Sequence, residues 1–149
     1  MVVIRRTAFV KFSTCEMYNL VNDIGSYPKF LPMCSKVDVH LQSTTEIEAT
    51  LSIVKGSIKI DFATHNDIIK DQKITMRLIK GPFKCLNGSW RFFPLKNNSS
   101  RVNLDLKFDF SNKIFGIALG FIFENLANNM LDIFCNRAQE IYGVCIHKN

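Results

Sequence analysis

Histidine, cysteine and carboxylate side chains are the groups in this sequence that could carry chemistry, and their spacing predicts no catalytic group. The five cysteines are scattered and include no Cys-x-x-Cys pair, so neither a metal site nor a disulfide framework is predicted. His65 shares the strand parity of Lys59 and Asp61 and is expected to point outward. Glu124 lies off the apolar stripe of its helix, where a solvated carboxylate is favoured over a catalytic one. We therefore predict a protein that is not an enzyme, with no catalytic cofactor.

Arg137 is a charged residue that helical periodicity places within an apolar stripe. A charge at such a position must be paired or must reach water. Two interpretations stay open. Arg137 could form an ion pair with a carboxylate, for which Asp23 is a candidate, or it could donate to a carbonyl oxygen at the closed end of a cavity. The fixed donors of a guanidinium suit the second role.

The helix that must position these groups is predicted from Asn112 to Val144. This stretch contains no proline and is long enough for about eight or nine turns. Its apolar residues recur at helical spacing, which predicts one face laid on an apolar surface. They are Leu119, Ile122, Phe123, Leu126, Met130, Ile133, Phe134 and Ile141.

The start of the same helix is apolar on every side. The ten residues from Ile114 to Phe123 include no polar side chain. Such a segment is either buried all round or in contact with something other than water, and it is too short to span a bilayer. One interpretation is burial under a loop. The alternative is a peripheral membrane contact, a portal formed by Phe115, Leu119, Phe121 and Ile122.

The segments before this helix alternate apolar and polar residues, which predicts strands. Val2 to Phe12 forms the first strand, and two short helices follow it, broken by the two prolines between Tyr27 and Pro32. Six further strands with turn residues between them predict an antiparallel sheet with one solvated face. The fold class is α+β: a curved antiparallel sheet of about seven strands wrapped around the long carboxyl-terminal helix.

Composition sets broad limits on function. The 149 residues suggest one domain, residues 1–149. Thirteen phenylalanines suit either a large core or a cavity for an apolar ligand. The net charge of +6 permits contact with nucleic acid or anionic lipid without indicating either. The first residues have no signal-peptide pattern, and the expected location is the cytoplasm, with peripheral contact at the inner membrane of a bacterium.

Several motifs resemble the START-like (helix-grip) superfamily, and within it the coenzyme Q-binding branch. The likeness covers nearly the whole chain. Its motifs are Tyr27-Pro28-x-Phe30-Leu31-Pro32-x-Cys34, Gly81-Pro82-Phe83-Lys84-x-Leu86-x-Gly88-x-Trp90-x-Phe92-x-Pro94-Leu95, Phe108-x-Phe110-x-Asn112-Lys113 and Met130-x-x-x-Phe134-x-x-Arg137-Ala138.

The resemblance implies a hydrophobic tunnel that holds a polyprenyl quinone, such as ubiquinone, or a related lipid, in support of respiration. Strand and helix parity alone leaves open whether the interior is a tunnel or a solid core. The residues expected to line a tunnel are Phe30, Leu31, Phe62, Met76, Leu78, Trp90, Phe92, Leu106, Phe108, Leu126, Met130, Phe134 and Arg137.

Bacterial members of this branch include ribosome association toxins, and that likeness implies an alternative function. A toxin of a toxin–antitoxin pair would bind the large ribosomal subunit and block subunit association. Outward-facing cations could supply the contact with RNA phosphates, although a solvated sheet face also carries such residues. The candidates are Lys59, Lys73, Arg77 and Arg91. No DNA partner is predicted.

Overall fold

A computed structural model of the protein describes residues 1–111 and 113–143, and side chains for 1–111 and 118–143. The strands are β1 (Val2–Val10), β2 (Cys34–Gln42), β3 (Glu46–Lys55), β4 (Ile58–Ile69), β5 (Lys73–Lys80), β6 (Phe83–Pro94) and β7 (Ser100–Phe110). The helices are α1 (Thr14–Asn22), a 3₁₀ segment (Ile24–Lys29) and α2 (Lys113–Ala138), which continues into a π-helical turn (Gln139–Gly143).

The seven strands form one antiparallel sheet in the order β1-β7-β6-β5-β4-β3-β2. Each strand from β2 to β7 pairs with its neighbour in sequence, and β1 closes the far edge on β7. The alternation of side chains places one apolar face inward: along β7, every second residue from Ser100 to Phe110 is buried. The predicted curved seven-stranded sheet with a long carboxyl-terminal helix is confirmed.

Local sequence signals set the ends of α1. Ser13 Oγ accepts from the Glu16 N–H at 3.1 Å, and the Ser13 N–H donates to Glu16 Oε1 at 2.9 Å, which is a complete capping box. The predicted second short helix is the 3₁₀ segment, with Pro28 inside it. The first strand ends at Val10, two residues earlier than predicted, and the predicted helix ends at Asn112 and Val144 lie outside the described residues.

Two apolar clusters make up the core beneath α2. One surrounds Trp90 and Phe134, and the other surrounds Phe108 and Phe123. Five half-buried residues pack against both clusters: Tyr27, Val37, Leu51, Met76 and Met130. α2 itself lies against β1 and β7, so the opposite half of the concave face is covered less closely.

Trp90 gives the strongest test of this core. Its side chain is 2% exposed and meets the Phe134 ring at 5.1 Å between centroids. Trp90→Ala is expected to lower the free energy of unfolding by about 3–5 kcal/mol, because it removes a large buried side chain and leaves a cavity. Chemical denaturation measures the change. Leu95→Ala, at a residue that is 43% exposed, is the control and should change the free energy of unfolding little. Equal free energies of unfolding for the two variants would contradict the inward placement of Trp90.

Candidate binding cavity and flanking surfaces

An apolar cavity of about 80 Å³ lies where the two core clusters meet. The helical side supplies residues from the 3₁₀ segment, the loop after it and α2, and strands β3 to β7 supply the other wall. The lining is almost entirely apolar. It consists of Ile24, Tyr27, Leu31, Leu51, Phe62, Thr64, Asn66, Met76, Leu86, Trp90, Leu106, Phe123 and Met130.

Six of the predicted tunnel residues line this cavity: Leu31, Phe62, Met76, Trp90, Leu106 and Met130. The other seven are placed elsewhere. Phe92, Phe108, Leu126 and Phe134 are buried in close-packed parts of the core. Phe30 packs edge-on against Phe134 and Tyr27. Leu78 is half-buried near Gly81, and Arg137 lies towards the end of α2. Strand parity identifies the inward face, but it does not tell which inward residues touch one another and which border a gap.

Thr64 and Asn66 are polar residues on the otherwise apolar inward face of β4. Both lie on β4 with the parity of Ile60 and Phe62, both border the cavity, and they are 7% and 5% exposed. The signal was present in the sequence, because the alternation of β4 continues through these two positions. Asn66 Oδ1 is buried and has no hydrogen-bond partner within the described part of the chain.

Arg137 pairs with a carboxylate other than the predicted candidate, Asp23. Its Nη1 donates to Glu140 Oε2 at 3.0 Å, one turn further along, and not to Asp23. The guanidinium carbon lies 5.2 Å from the centroid of the Phe30 ring, a cation–π contact. The side chain remains 24% exposed, so the charge reaches water and is not enclosed at the end of the cavity. The apolar stem covers the stripe, as long basic side chains commonly do.

The start of α2 is divided between core and surface. Leu119 is buried in the core, so it is not available as a surface contact, whereas Phe121 is 78% exposed and Ile122 is half-buried. The side chain of Phe115 lies outside the described residues. Phe30 does not face this segment, since it contacts Phe134, about three turns beyond Phe123. Leu31, by contrast, borders the cavity together with Phe123. Of the helices that the structure describes, none combines the length and apolarity needed to cross a bilayer.

The outward face of the sheet carries most of the predicted ribosome-contact residues. Lys73 borders two surface grooves, and Arg91 borders one of them. The groove of about 490 Å³ passes over Gly88 and also includes Lys107 and the ion pair of Arg5 Nε with Asp105 Oδ1, 3.8 Å apart. A Cβ on Gly88 would lie 2.4 Å from the Asp105 backbone oxygen, so glycine is required for β6 and β7 to approach here.

The other two predicted contact residues have acidic neighbours. Lys59 Nζ lies 3.8 Å from Asp61 Oδ2. Arg77 is paired in register with His65 on β4, beside three carboxylates. These neighbours offset their charge, so the positive character of this face is concentrated along β5 to β7 around Lys73.

The sequence of residues 10–135 matches the family described as polyketide cyclase / dehydrase and lipid transport. The chain belongs to this family. The resemblance to START-like proteins is confirmed by that match and by a likeness to the START superfamily protein from Mycobacterium smegmatis. That structure has a TM-score of 0.77 and 15% sequence identity, over 93% of this chain and 98% of the other; at this identity the likeness shows the fold alone.

Two curated relatives carry functional names. The ribosome association toxin RatA of Escherichia coli (strain K12) is 41% identical over 140 residues, covering 94% of this chain and 89% of RatA. The mitochondrial coenzyme Q-binding protein COQ10 of Drosophila melanogaster is 24% identical over 135 residues, covering 89% of this chain and 53% of that protein. Neither name is that of an enzyme.

The family name includes cyclases and dehydrases, and such enzymes need titratable groups at the cavity. The described lining offers one, Tyr27, whose hydroxyl donates to the Val21 backbone oxygen. Burial is the main cause that raises its pKa far above the usual value, so it remains a neutral donor already in use. Glu124 is exposed, as expected for a solvated carboxylate.

His65 lies on the outward face of β4, as its parity predicted. Neighbouring side chains cover it there, and it is only 6% exposed. Its Nδ1 lies 2.9 Å from Glu48 Oε2, and its Nε2 lies 3.1 Å from Asp67 Oδ1 and 3.4 Å from Glu46 Oε1. Glu46, His65 and Asp67 could geometrically hold a metal ion. Because both ring nitrogens already face carboxylates, the arrangement is that of an imidazolium held between acids.

The His65 cluster predicts a pH-dependent stability. The hydrogen bond to Glu48 is the largest influence raising the pKa of His65, Asp67 adds to it, and desolvation and Arg77 on β5 oppose it. Within the described part of the chain, Glu46 is the other charged group that faces the ring. A raised pKa stabilises the fold fully below the ordinary value of about 6.5, and that contribution is lost as the pH rises through the folded value.

Melting temperatures of the parent and of His65→Gln measure this effect. The parent should exceed the variant by more at about pH 5.5 than at about pH 9, since only the charged ring gains from the carboxylates. His40→Gln, at an exposed histidine on β2, is the matched control and should show a constant difference. A His65→Gln difference that does not change with pH would contradict the imidazolium assignment.

Proposed function

We propose that the cavity is the binding site for an apolar lipid, and that the lipid is ubiquinone or a related polyprenyl quinone. The observation that carries this proposal is the cavity itself, a gap between two well-packed clusters whose lining is apolar apart from Thr64 and Asn66. A ligand pocket of this kind, apolar with a few placed polar groups, is typical of small-molecule sites. The name of COQ10, a coenzyme Q-binding relative, supports the choice of ligand.

Binding requires the cavity to enlarge. Its volume of about 80 Å³ is below the roughly 300–1,000 Å³ of typical ligand sites. Met76 and Met130 border it from the sheet and from α2, and unbranched methionine side chains repack with little cost. α2 is seated on β1 and β7, so the wall beside β3 to β5 can open without separating the helix from its main support. The protein then acts by holding the lipid, without catalysis and without a metal.

The membrane portal is the second part of this proposal. Phe121 offers a large apolar side chain to a bilayer surface close to the start of α2. Insertion of apolar side chains into the interface contributes about 0.8 kcal/mol per buried CH₂. A protein of the bacterial cytoplasm that works peripherally at the inner membrane could take up a quinone in this way.

Vesicles that contain ubiquinone test uptake, because Trp90, the chain's single tryptophan, borders the cavity and quinones quench its fluorescence. The parent should be quenched on mixing. Phe121→Asp should slow quenching by about tenfold or more, since one exposed aromatic contributes about 1.5–3 kcal/mol on insertion. Phe9→Asp is the matched control, because Phe9 is also exposed, at 73%, but lies on β1.

A short-chain quinone dispersed in detergent separates binding from uptake, and both variants should bind it as the parent does. Absence of quenching in both formats would refute quinone binding. Equal slowing of the two variants would refute a portal at Phe121 while leaving the cavity as the binding site.

A second function, binding to the large ribosomal subunit, is favoured by one observation. The name of RatA, at 41% identity over 140 residues, is that of a ribosome association toxin. We propose that the positive surface around Lys73, together with Arg91 and Lys107, makes this contact through RNA phosphates. The bound protein would then occupy part of the surface of the large subunit and block subunit association.

Co-sedimentation with large ribosomal subunits tests this surface. Reversal of Lys73, Arg91 and Lys107 to Glu should abolish binding, and binding by the parent should weaken steeply with salt because counterions are released. Arg77 is left unchanged, since its charge offsets the carboxylates around His65. Reversal of the exposed Lys11, Lys29 and Lys55 changes the net charge equally and should leave binding largely intact. Undiminished binding by the first variant would refute the proposed surface.

A further inference from the structure

Asn66 Oδ1 is a hydrogen-bond acceptor without a donor. The residue is 5% exposed and borders the cavity, and no partner for this oxygen exists among the described residues. Its neighbours across the sheet are Ile47 on β3 and Met76 on β5, and neither side chain has a hydrogen-bond donor. Buried polar atoms are nearly always paired, so an orphan acceptor in a cavity indicates a missing partner.

The chemistry of the missing partner follows from the acceptor. Oδ1 requires an O–H or N–H group, and the surrounding lining requires that this group be carried on an apolar body. A quinone ring presents carbonyl oxygens, which only accept hydrogen bonds. The reduced form of the same ring, a quinol, presents two hydroxyl groups, which both donate and accept.

Thr64 adds a second polar contact on the same wall. It lies two residues before Asn66 on the same face of β4 and borders the cavity. Its hydroxyl can donate or accept, so it does not discriminate between the two redox forms. The amide nitrogen of Asn66 can donate to a quinone carbonyl, but only a hydroxyl on the ligand can donate to Asn66 Oδ1, so the discrimination rests on this oxygen.

We propose that the cavity selects the reduced, hydroxyl-bearing form of its ligand, a quinol or phenol head group, over the oxidised quinone, with Asn66 Oδ1 accepting from the hydroxyl. This inference rests on the proposed lipid-quinone binding. A buried water could also satisfy Asn66, because a cavity of about 80 Å³ has room for one. In that case the ligand would gain nothing from its own hydroxyl.

Three ligands that share a short isoprenoid tail distinguish these cases: the ubiquinol, the corresponding ubiquinone, and the quinol's dimethyl ether, which has no donor. Anaerobic titration calorimetry with the parent should show the quinol binding at least tenfold more tightly than either of the others. Asn66→Leu keeps the number and branching of the side-chain heavy atoms, and it should weaken quinol binding by about tenfold and remove the preference. Asn103→Leu is the matched control, because Asn103 Oδ1 also has no partner among the described residues but lies on the outward face of β7.

The outcomes separate this inference from the function on which it rests. If none of the three ligands binds the parent, the proposed lipid-quinone function fails. If they bind equally, or if the quinone binds more tightly than the quinol, selection of the reduced form is refuted while quinone binding stands. The comparison of quinol with dimethyl ether uses the parent protein alone, so it decides the matter even if Asn66→Leu does not fold. Retention of the quinol preference in a folded Asn66→Leu would refute the role of Asn66.

Discussion

One helix has to cover the concave face of seven strands, and two phenylalanines fix how it does so. Phe134 meets Trp90, Tyr27 and Phe30 with ring centroids 5.1, 5.2 and 5.1 Å apart. Phe123 meets Phe62, Phe83, Phe108 and Phe110 at 5.7, 5.2, 4.8 and 6.1 Å. Eleven residues separate them, which is about three turns, so both lie on one face of α2 about 16 Å apart.

The cavity lies between these two aromatic anchors. Each anchor fills the space around itself, and the segment between them offers Met130 to the facing strands. A single helix that rests on β1 and β7 cannot also touch the strands of the other half as closely, because the sheet curves away from it. The gap is therefore a consequence of the architecture, and the polar residues Thr64 and Asn66 face into it.

The two proposed functions use opposite faces of the same strands. Along β5, Ile74 and Met76 point inward while Lys73 and Arg77 lie on the outward face, because successive side chains alternate. On β6, Trp90 is inward and Arg91 outward. A lipid inside and a nucleic-acid contact outside thus require no shared residue, and one chain can carry both. The exposed Phe121 belongs to α2 and leaves the outward face of the sheet free.

The sequence by itself determined the sheet, the helix and the division of residues between inward and outward faces. Apolar and polar residues alternate along the whole of β7. A shift of the strand by one residue would turn its apolar side chains to water, so only one register buries them. The capping box at Ser13 and the prolines of the Tyr27–Pro32 loop were equally readable, because they act through neighbouring residues. Parity also placed Trp90 inward, and it places Thr64 and Asn66 on the same inward face as Phe62 despite their polarity.

Only the tertiary structure decided which inward residues pack and which border a cavity, because that depends on where one helix rests on a curved sheet. It also decided the partners of single polar groups. Arg137 pairs with Glu140, and His65 is covered by acids from β3 and β4. Helical and strand periodicity give a direction for each side chain but not the distance to a neighbour on another element. Hydrogen bonds and ion pairs act over about 3–4 Å, so their partners emerge only when the elements are assembled.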